Sequence, residues 1–287
     1  MGTVKVVRLQ HARGRLEELI DAPYLAPDRK LRMLRLAHCP LLTDKAFTSA
    51  SRWQPEEEAG SRALTPPLRY NAENLRILDL AHCNITDESL DGIIAHAPKI
   101  QNLNITECRQ LTDVALDCIC RLGESLDVLS MSRVTNVTDA AVVRLARSCT
   151  KLRGVDFGCE CLLEGSYMGR RTNCIPDCDK LTDLSVFELA SLGGLRRLSL
   201  AGLHNITDIG IFAIAQQAVE LERFHLAYCT QISLEAVHTL LKDLRKLQQI
   251  VLTGVTACQG VGMDQFSENA PAVSLGVSFL VRLYDHD

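Results

Sequence analysis

Apolar residues recur along this chain in a pattern whose period changes within every segment. Each segment opens on alternating apolar positions, as in LRILDLAHC from Leu75 to Cys83, and then runs through a polar linker into apolar residues at helical spacing. Alternation puts side chains on one face of a short strand, whereas a spacing of three to four residues puts them along one side of a helix. Segments beginning at Leu31, Leu75, Ile100, Leu126, Leu152, Leu195, Leu221 and Leu247 align on this pattern, with steps of 44, 25, 26, 26, 43, 26 and 26 residues. The unit is therefore 26 residues long: L-x-x-L-x-L-x-x-C, a linker, Thr-Asp, and a helix. One unit alone cannot bury its leucines. Units stacked side by side pair their strands in parallel and merge their apolar faces into one core. The pattern predicts an α/β fold, a right-handed leucine-rich-repeat solenoid of about eight cysteine-containing repeats, with a parallel sheet on the concave face of a horseshoe and helices on the convex face.

The Thr-Asp pairs at Thr43, Thr86, Thr112, Thr138, Thr182 and Thr207 stand where each helix should begin. A threonine side chain there caps an unpaired backbone N–H, and the following aspartate complements the positive end of the helix dipole. Ser233 with Glu235 takes the same place in the seventh segment. Cys39, Cys83, Cys108 and Cys229 occupy the ninth position of their units, which Val134, Leu203 and Val255 fill elsewhere. Exchange with valine and leucine marks a buried apolar slot, in which cysteine acts as a small hydrophobe rather than a nucleophile. Asn84, Asn136 and Asn205 begin Asn-x-Thr sequons, but their place in the strand-to-helix linker predicts a structural role, bonding backbone in the turn.

Two stretches break the period. One, near residues 48–74, is rich in proline and charge and reads as a surface loop. The other, near 159–177, has no repeat character, and excising it restores the 26-residue step. It reads as a disordered loop or an unremoved intron. With Cys178, its Cys159, Cys161 and Cys174 invite a zinc reading, which the Cys-x-Cys spacing disfavours because structural sites normally offer Cys-x2–4-Cys. The resulting organisation is a partial N-terminal repeat or cap over residues 1–30, with VKVVRLQ as its strand and RLEELI as its helix, a repeat domain over 31–270, and a C-terminal tail over 271–287.

Composition narrows the function. A hydrophobic content of 47% suffices for a continuous core, and a net charge of −4 removes the broad electrostatic case for nucleic acid. The first 21 residues lack a signal-peptide core and the longest nearly apolar run is too short to span a bilayer, so a cytoplasmic or nuclear protein is expected and its 12 cysteines are expected to be thiols. No hydrolase, zincin or phosphate-loop signature is present, so neither catalytic residues nor a cofactor or metal is expected. A non-catalytic protein that binds another protein remains.

The binding surface would be the outward strand residues, the third, fifth and seventh of each unit, with the eighth at the rim. Arg197, Arg223 and His225 fall there on neighbouring units, with Tyr228 beside them, while Arg35 stands in the first unit. Neighbouring strands lie about 4.8 Å apart, so the first three would form a cationic cluster suited to a phosphate or carboxylate. The competing reading is that these are ordinary solvated side chains.

Units of the form L-x-x-L-x-L-x-x-C-x-x-[IL]-T-D resemble those of F-box/leucine-rich-repeat proteins, the substrate receptors of SCF ubiquitin ligases. LRMLRLAHCPLLTDKAF, a proline-rich insert, LRILDLAHC, LERFHLAYC and LTGVTACQGVGMDQFSENAP narrow the similarity to the fungal glucose-repression-type receptors of G1 cyclins, over roughly Leu31 to Pro271. The resemblance implies a basic concave face that recognises phosphorylated clients, a role that falls here on Arg35, Arg197 and Arg223. The first 30 residues show no Leu-Pro-x-Glu helix of an F-box, and VSLGVSFLVRLYDHD echoes the family's closing segment only loosely. The chain as written would therefore bind a client without recruiting the ligase's adaptor subunit. An F-box-free interaction protein, akin to antagonists of mitotic exit, is the alternative.

Overall fold

The computed structural model describes residues 5–8, 31–39, 72–158, 180–258 and 274–276. They belong to two compact units, Met1–Phe157 and Gly158–Asp287. The first holds strands β1 (Lys5–Arg8), β2 (Leu31–Arg35), β3 (Ile77–Asp79), β4 (Asn102–Asn104), β5 (Val128–Ser130) and β6 (Gly154–Asp156), with helices α1 (Asp87–His96), α2 (Asp113–Cys120) and α3 (Asp139–Ser148). Each strand pairs in parallel with the next in sequence. The second holds helices α4 (Asp183–Ala190), α5 (Asp208–Gln217) and α6 (Leu234–Asp243) and strands β7 (Arg197–Ser199), β8 (Arg223–His225), β9 (Gln249–Val251) and β10 (Ser274–Gly276). Here too β7 pairs with β8, β8 with β9 and β9 with β10, all in parallel.

Each unit is an open parallel sheet whose strands alternate with helices, which is the leucine-rich-repeat arrangement. The sequence register explains it residue by residue. All eight first positions, from Leu31 to Leu247, are at most 3% exposed. The fourth and sixth positions, such as Leu78 and Leu80 or Phe224 and Leu226, are buried as well. The helices turn inward the residues that the helical spacing marks, for example Leu90, Ile93 and Ile94 in α1 and Val237, Leu240 and Leu241 in α6. Burying such a side chain contributes roughly 1.5–3 kcal/mol, so the core is built of many equal shares, one set per repeat.

β1 lies within the segment read as a partial first repeat, and β10 lies within the segment read as a tail. RLEELI, the helix expected at Thr43-Asp44, most of the proline-rich insert and the cysteines of the second insert lie outside the described residues. Among those residues no helix is long and apolar enough to cross a membrane.

Candidate interaction surface

In a strand of three residues flanked by buried leucines, the residues between the leucines must face the other way. Met33, Ile77, Asn102 and Val128 at the third position, and Arg35, Asp79, Asn104, Ser130 and Asp156 at the fifth, are all partly exposed in the first unit. The seventh position departs from expectation where it is alanine: Ala37, Ala81, Ala201 and Ala227 are all buried. The chain begins its turn at that point, and a methyl group is too short to emerge between its neighbours.

The turn itself carries a feature with little mark in the sequence. In every unit whose eighth residue is described, that residue has a positive φ: His38, His82, Glu107, Arg133 and Tyr228 at 58–60°, with Gly202 at 75° and Gly254 at 73°. Several of these residues donate their backbone N–H to the seventh residue of the following unit, as His38 does to Ala81, His82 to Thr106 and Tyr228 to Thr253. The left-handed conformation thus carries the ladder of inter-unit bonds one step beyond the strand. Glycine at positions 202 and 254, and to a lesser degree histidine at 38 and 82, favours this conformation, whereas glutamate, arginine and tyrosine give no sign of it.

In the second unit Arg197 and Arg223 are register partners on β7 and β8, with Gln249 next on β9. Both arginines are exposed, and among the described residues neither has an ion-pair partner. His225, two residues after Arg223, lies in register with Ser199 and Val251 and is partly exposed. Tyr228 is 41% exposed, and its ring lies so close over Gly254 that a methyl group there would sit 2.3 Å from Cδ1. These four sequence-predicted residues therefore occupy one strand face and its rim. Arg35 belongs to the first unit, where Asp79 is its register partner on the next strand.

Several basic residues elsewhere find an acid about one repeat away. Arg121 pairs with Asp91, Arg144 with Asp117 at 2.7 Å, Lys151 with Glu124 at 2.7 Å, Arg196 with Glu222 at 3.3 Å and Lys246 with Glu220. At the rim of the first unit Glu107 collects Arg133, Arg109 and His82. Burial alone would raise its carboxyl, but the Arg133 hydrogen bond and the charges of Arg133, His82 and Arg109 outweigh this and hold it below the ordinary carboxylate range.

The ninth-position thiols have structural work. Cys83 donates to the Leu36 carbonyl at 3.2 Å, Cys108 to Leu80 at 3.1 Å and Cys229 to Leu200 at 3.2 Å, each reaching back to the sixth residue of the preceding unit. Burial pushes all three thiols up to about 12. That is the opposite of what a nucleophile or metal ligand requires. The linker asparagines reach further than a local turn: Asn136 donates to the Arg109 carbonyl, and Asn84 accepts from Gln110.

Comparison with known proteins agrees with this architecture. A family model described as "Leucine Rich repeat" matches residues 71–93. The "Antagonist of mitotic exit network protein 1" of Candida glabrata is 30% identical over 136 residues, 47% of this chain and 24% of that protein. The "F-box/LRR-repeat protein 4" of Bos taurus is 25% identical over 205 residues, 70% of this chain and 30% of that protein. The chain thus spans between about a quarter and a third of the length of these curated relatives. A chain of the "Crystal structure of Rad7 and Elc1 complex in yeast" matches at a TM-score of 0.57 and 16% identity, covering 90% of this chain and 64% of that one, a likeness of fold alone. Repeat, model and structural likeness agree on a leucine-rich-repeat fold.

Proposed function

We propose that the strand face around Arg197 and Arg223 holds an acidic or phosphorylated client protein, and that through it the chain serves as the substrate-recognition part of an SCF-type ubiquitin ligase. The observation that carries this reading is the arginine pair itself: two exposed guanidiniums in register on adjacent strands, neither with an ion-pair partner among the described residues. About 4.8 Å between strands lets both forks address one phosphate, and each charge-assisted hydrogen bond contributes roughly 1.5–3 kcal/mol. His225 and Tyr228 extend the same surface, the tyrosine braced on Gly254. Arg35 is a secondary contact in this proposal, because Asp79 stands in register beside it on β3.

The similarity to an F-box/LRR-repeat protein supports the ligase assignment, and the similarity to an antagonist of mitotic exit supports a second reading. In that second reading the same surface scaffolds or inhibits cell-cycle partners without an F-box. Both are binding functions, and neither assigns catalysis to this chain.

Co-purification by wild-type protein and by an Arg197→Ala/Arg223→Ala double variant, from one lysate with and without phosphatase treatment, tests the contact. The expected result is a loss of at least about tenfold in client recovery on either treatment, the equivalent of roughly 1.4 kcal/mol. Recovery unchanged by both would move the contact surface elsewhere. Whether the SCF adaptor subunit accompanies the client in cells separates the two readings.

A further inference from the structure

The two units use the eighth position of their repeats differently. In the first unit the side chains there engage one another: His38 stacks on His82 with ring centroids 4.1 Å apart, and Glu107 is taken by Arg133. In the second unit the described eighth residues are Gly202, Tyr228 and Gly254, so no side chain of its own row stands beside the tyrosine. Tyr228 is one of the few large apolar side chains that the described residues leave exposed, at 41%.

The ring is nevertheless fixed. Its backbone is held at φ 60° by the bond from its N–H to the Thr253 carbonyl at 2.7 Å. One edge of the ring lies along Gly254, where a methyl group would meet Cδ1 at 2.3 Å, Cε1 at 2.7 Å and Cγ at 3.0 Å. Glycine is required there both for its φ of 73° and to make room for the tyrosine. A ring already ordered in this way loses little freedom when a partner settles against it. Aromatic side chains so placed concentrate binding energy at protein interfaces.

We propose that Tyr228 is a second contact point of the client surface, a fixed aromatic wall for an apolar side chain of the same segment whose acidic or phosphorylated residue sits on Arg197 and Arg223. The inference rests on the client reading given above and adds the chemistry of the recognised segment. Arg223 and Tyr228 belong to one repeat, with Arg197 in register with Arg223 on the neighbouring strand. Five residues of chain separate them, the last of these in the turn, so the two points lie no more than about 17 Å apart. An extended segment crosses that distance in about five residues or fewer. The motif is therefore a negative charge and an apolar side chain within five residues of each other.

Selection from a peptide library on the immobilised full chain tests this. Each peptide carries a central phosphoserine with five randomised positions on either side, and the same library with serine at the centre is the control. Wild-type protein is expected to prefer phosphoserine and to enrich apolar residues at one flanking position. The variants are Tyr228→Asn, since asparagine tolerates the left-handed backbone, and Tyr228→Gly, which copies the residue at positions 202 and 254. Thermal melts establish that they fold. Both should keep the preference for phosphoserine, lose the apolar enrichment, and bind the best selected peptide about tenfold more weakly. Arg197→Ala/Arg223→Ala should lose the preference for phosphoserine. A phosphoserine preference without an enriched apolar position, or with enrichment undiminished in the Tyr228 variants, overturns the second contact and leaves the arginine reading standing. No preference for phosphoserine over serine in the wild type overturns the arginine reading and this inference with it.

Discussion

The ninth residue of the unit shows how much a position can say about itself. Exchange among cysteine, valine and leucine there identified a buried slot, and Cys39, Cys83, Cys108 and Cys229 are all 0–3% exposed. What exchange could not disclose is the thiol's partner, the carbonyl of the sixth residue one unit back, 28 residues away for Cys108 and 29 for Cys229. Burial raises the Cys83, Cys108 and Cys229 thiols to about 12, so almost none of each is ionised at pH 8. Cys83, Cys108 and Cys229 should therefore resist iodoacetamide in native protein at pH 8 and react fully in urea, which peptide mass spectrometry reads directly. Rapid native labelling at these three positions would mean that the slot opens. The neighbouring eighth residue was nearly silent in the sequence because its constraint lies in the backbone, and side chains as different as histidine, glutamate and tyrosine sit there on backbone bonds to the next unit.

At the scale of the element, the Thr-Asp pair does more than start a helix. Thr112, Thr182 and Thr207 cap α2, α4 and α5 by accepting from the N–H two residues on, whereas Thr86 and Thr138 make no such side-chain bond. The aspartates reach across to the next unit. Asp113 accepts both the backbone N–H of Thr138 at 2.7 Å and its hydroxyl at 2.6 Å, and Asp87 and Asp183 do the same for Thr112 and Thr207. Helix-dipole complementarity was legible from one unit, but the bridge was not, because its two ends lie 24–25 residues apart. Asp113→Ala leaves two donors without their charged acceptor. It should cost about 1.5–3 kcal/mol in urea unfolding. A cost within a few tenths of a kcal/mol would show the bridge to be dispensable. Gly210 belongs to the same device: a side chain there would meet the Asp183 carboxylate at 2.5 Å, so glycine lets α5 approach the bridge.

For the whole molecule, stability is shared between neighbours in each stack. Leu103 on β4 is 1% exposed, and Leu103→Ala should cost about 2–5 kcal/mol. In a stack held by nearest-neighbour contacts, that loss spreads from the altered repeat. Hydrogen exchange should quicken most in β4 and its pairing partners β3 and β5, and less towards β1. Uniform quickening throughout the first unit would indicate a single cooperative block instead. The period, the place of the strands and helices described within the aligned repeats, the buried rows and the alignment of Arg197 with Arg223 could all be read along the chain, because each follows from a spacing that repeats every 26 residues. Three-dimensional neighbours alone assigned the partners: thiol to carbonyl, aspartate to the next threonine, Glu107 to Arg133 and His82, and His38 stacked on His82. The physical reason is the same in each case. A buried position is a property of one unit's own pattern, whereas a hydrogen bond or an ion pair needs two groups from different units, and only the stacking register brings them together.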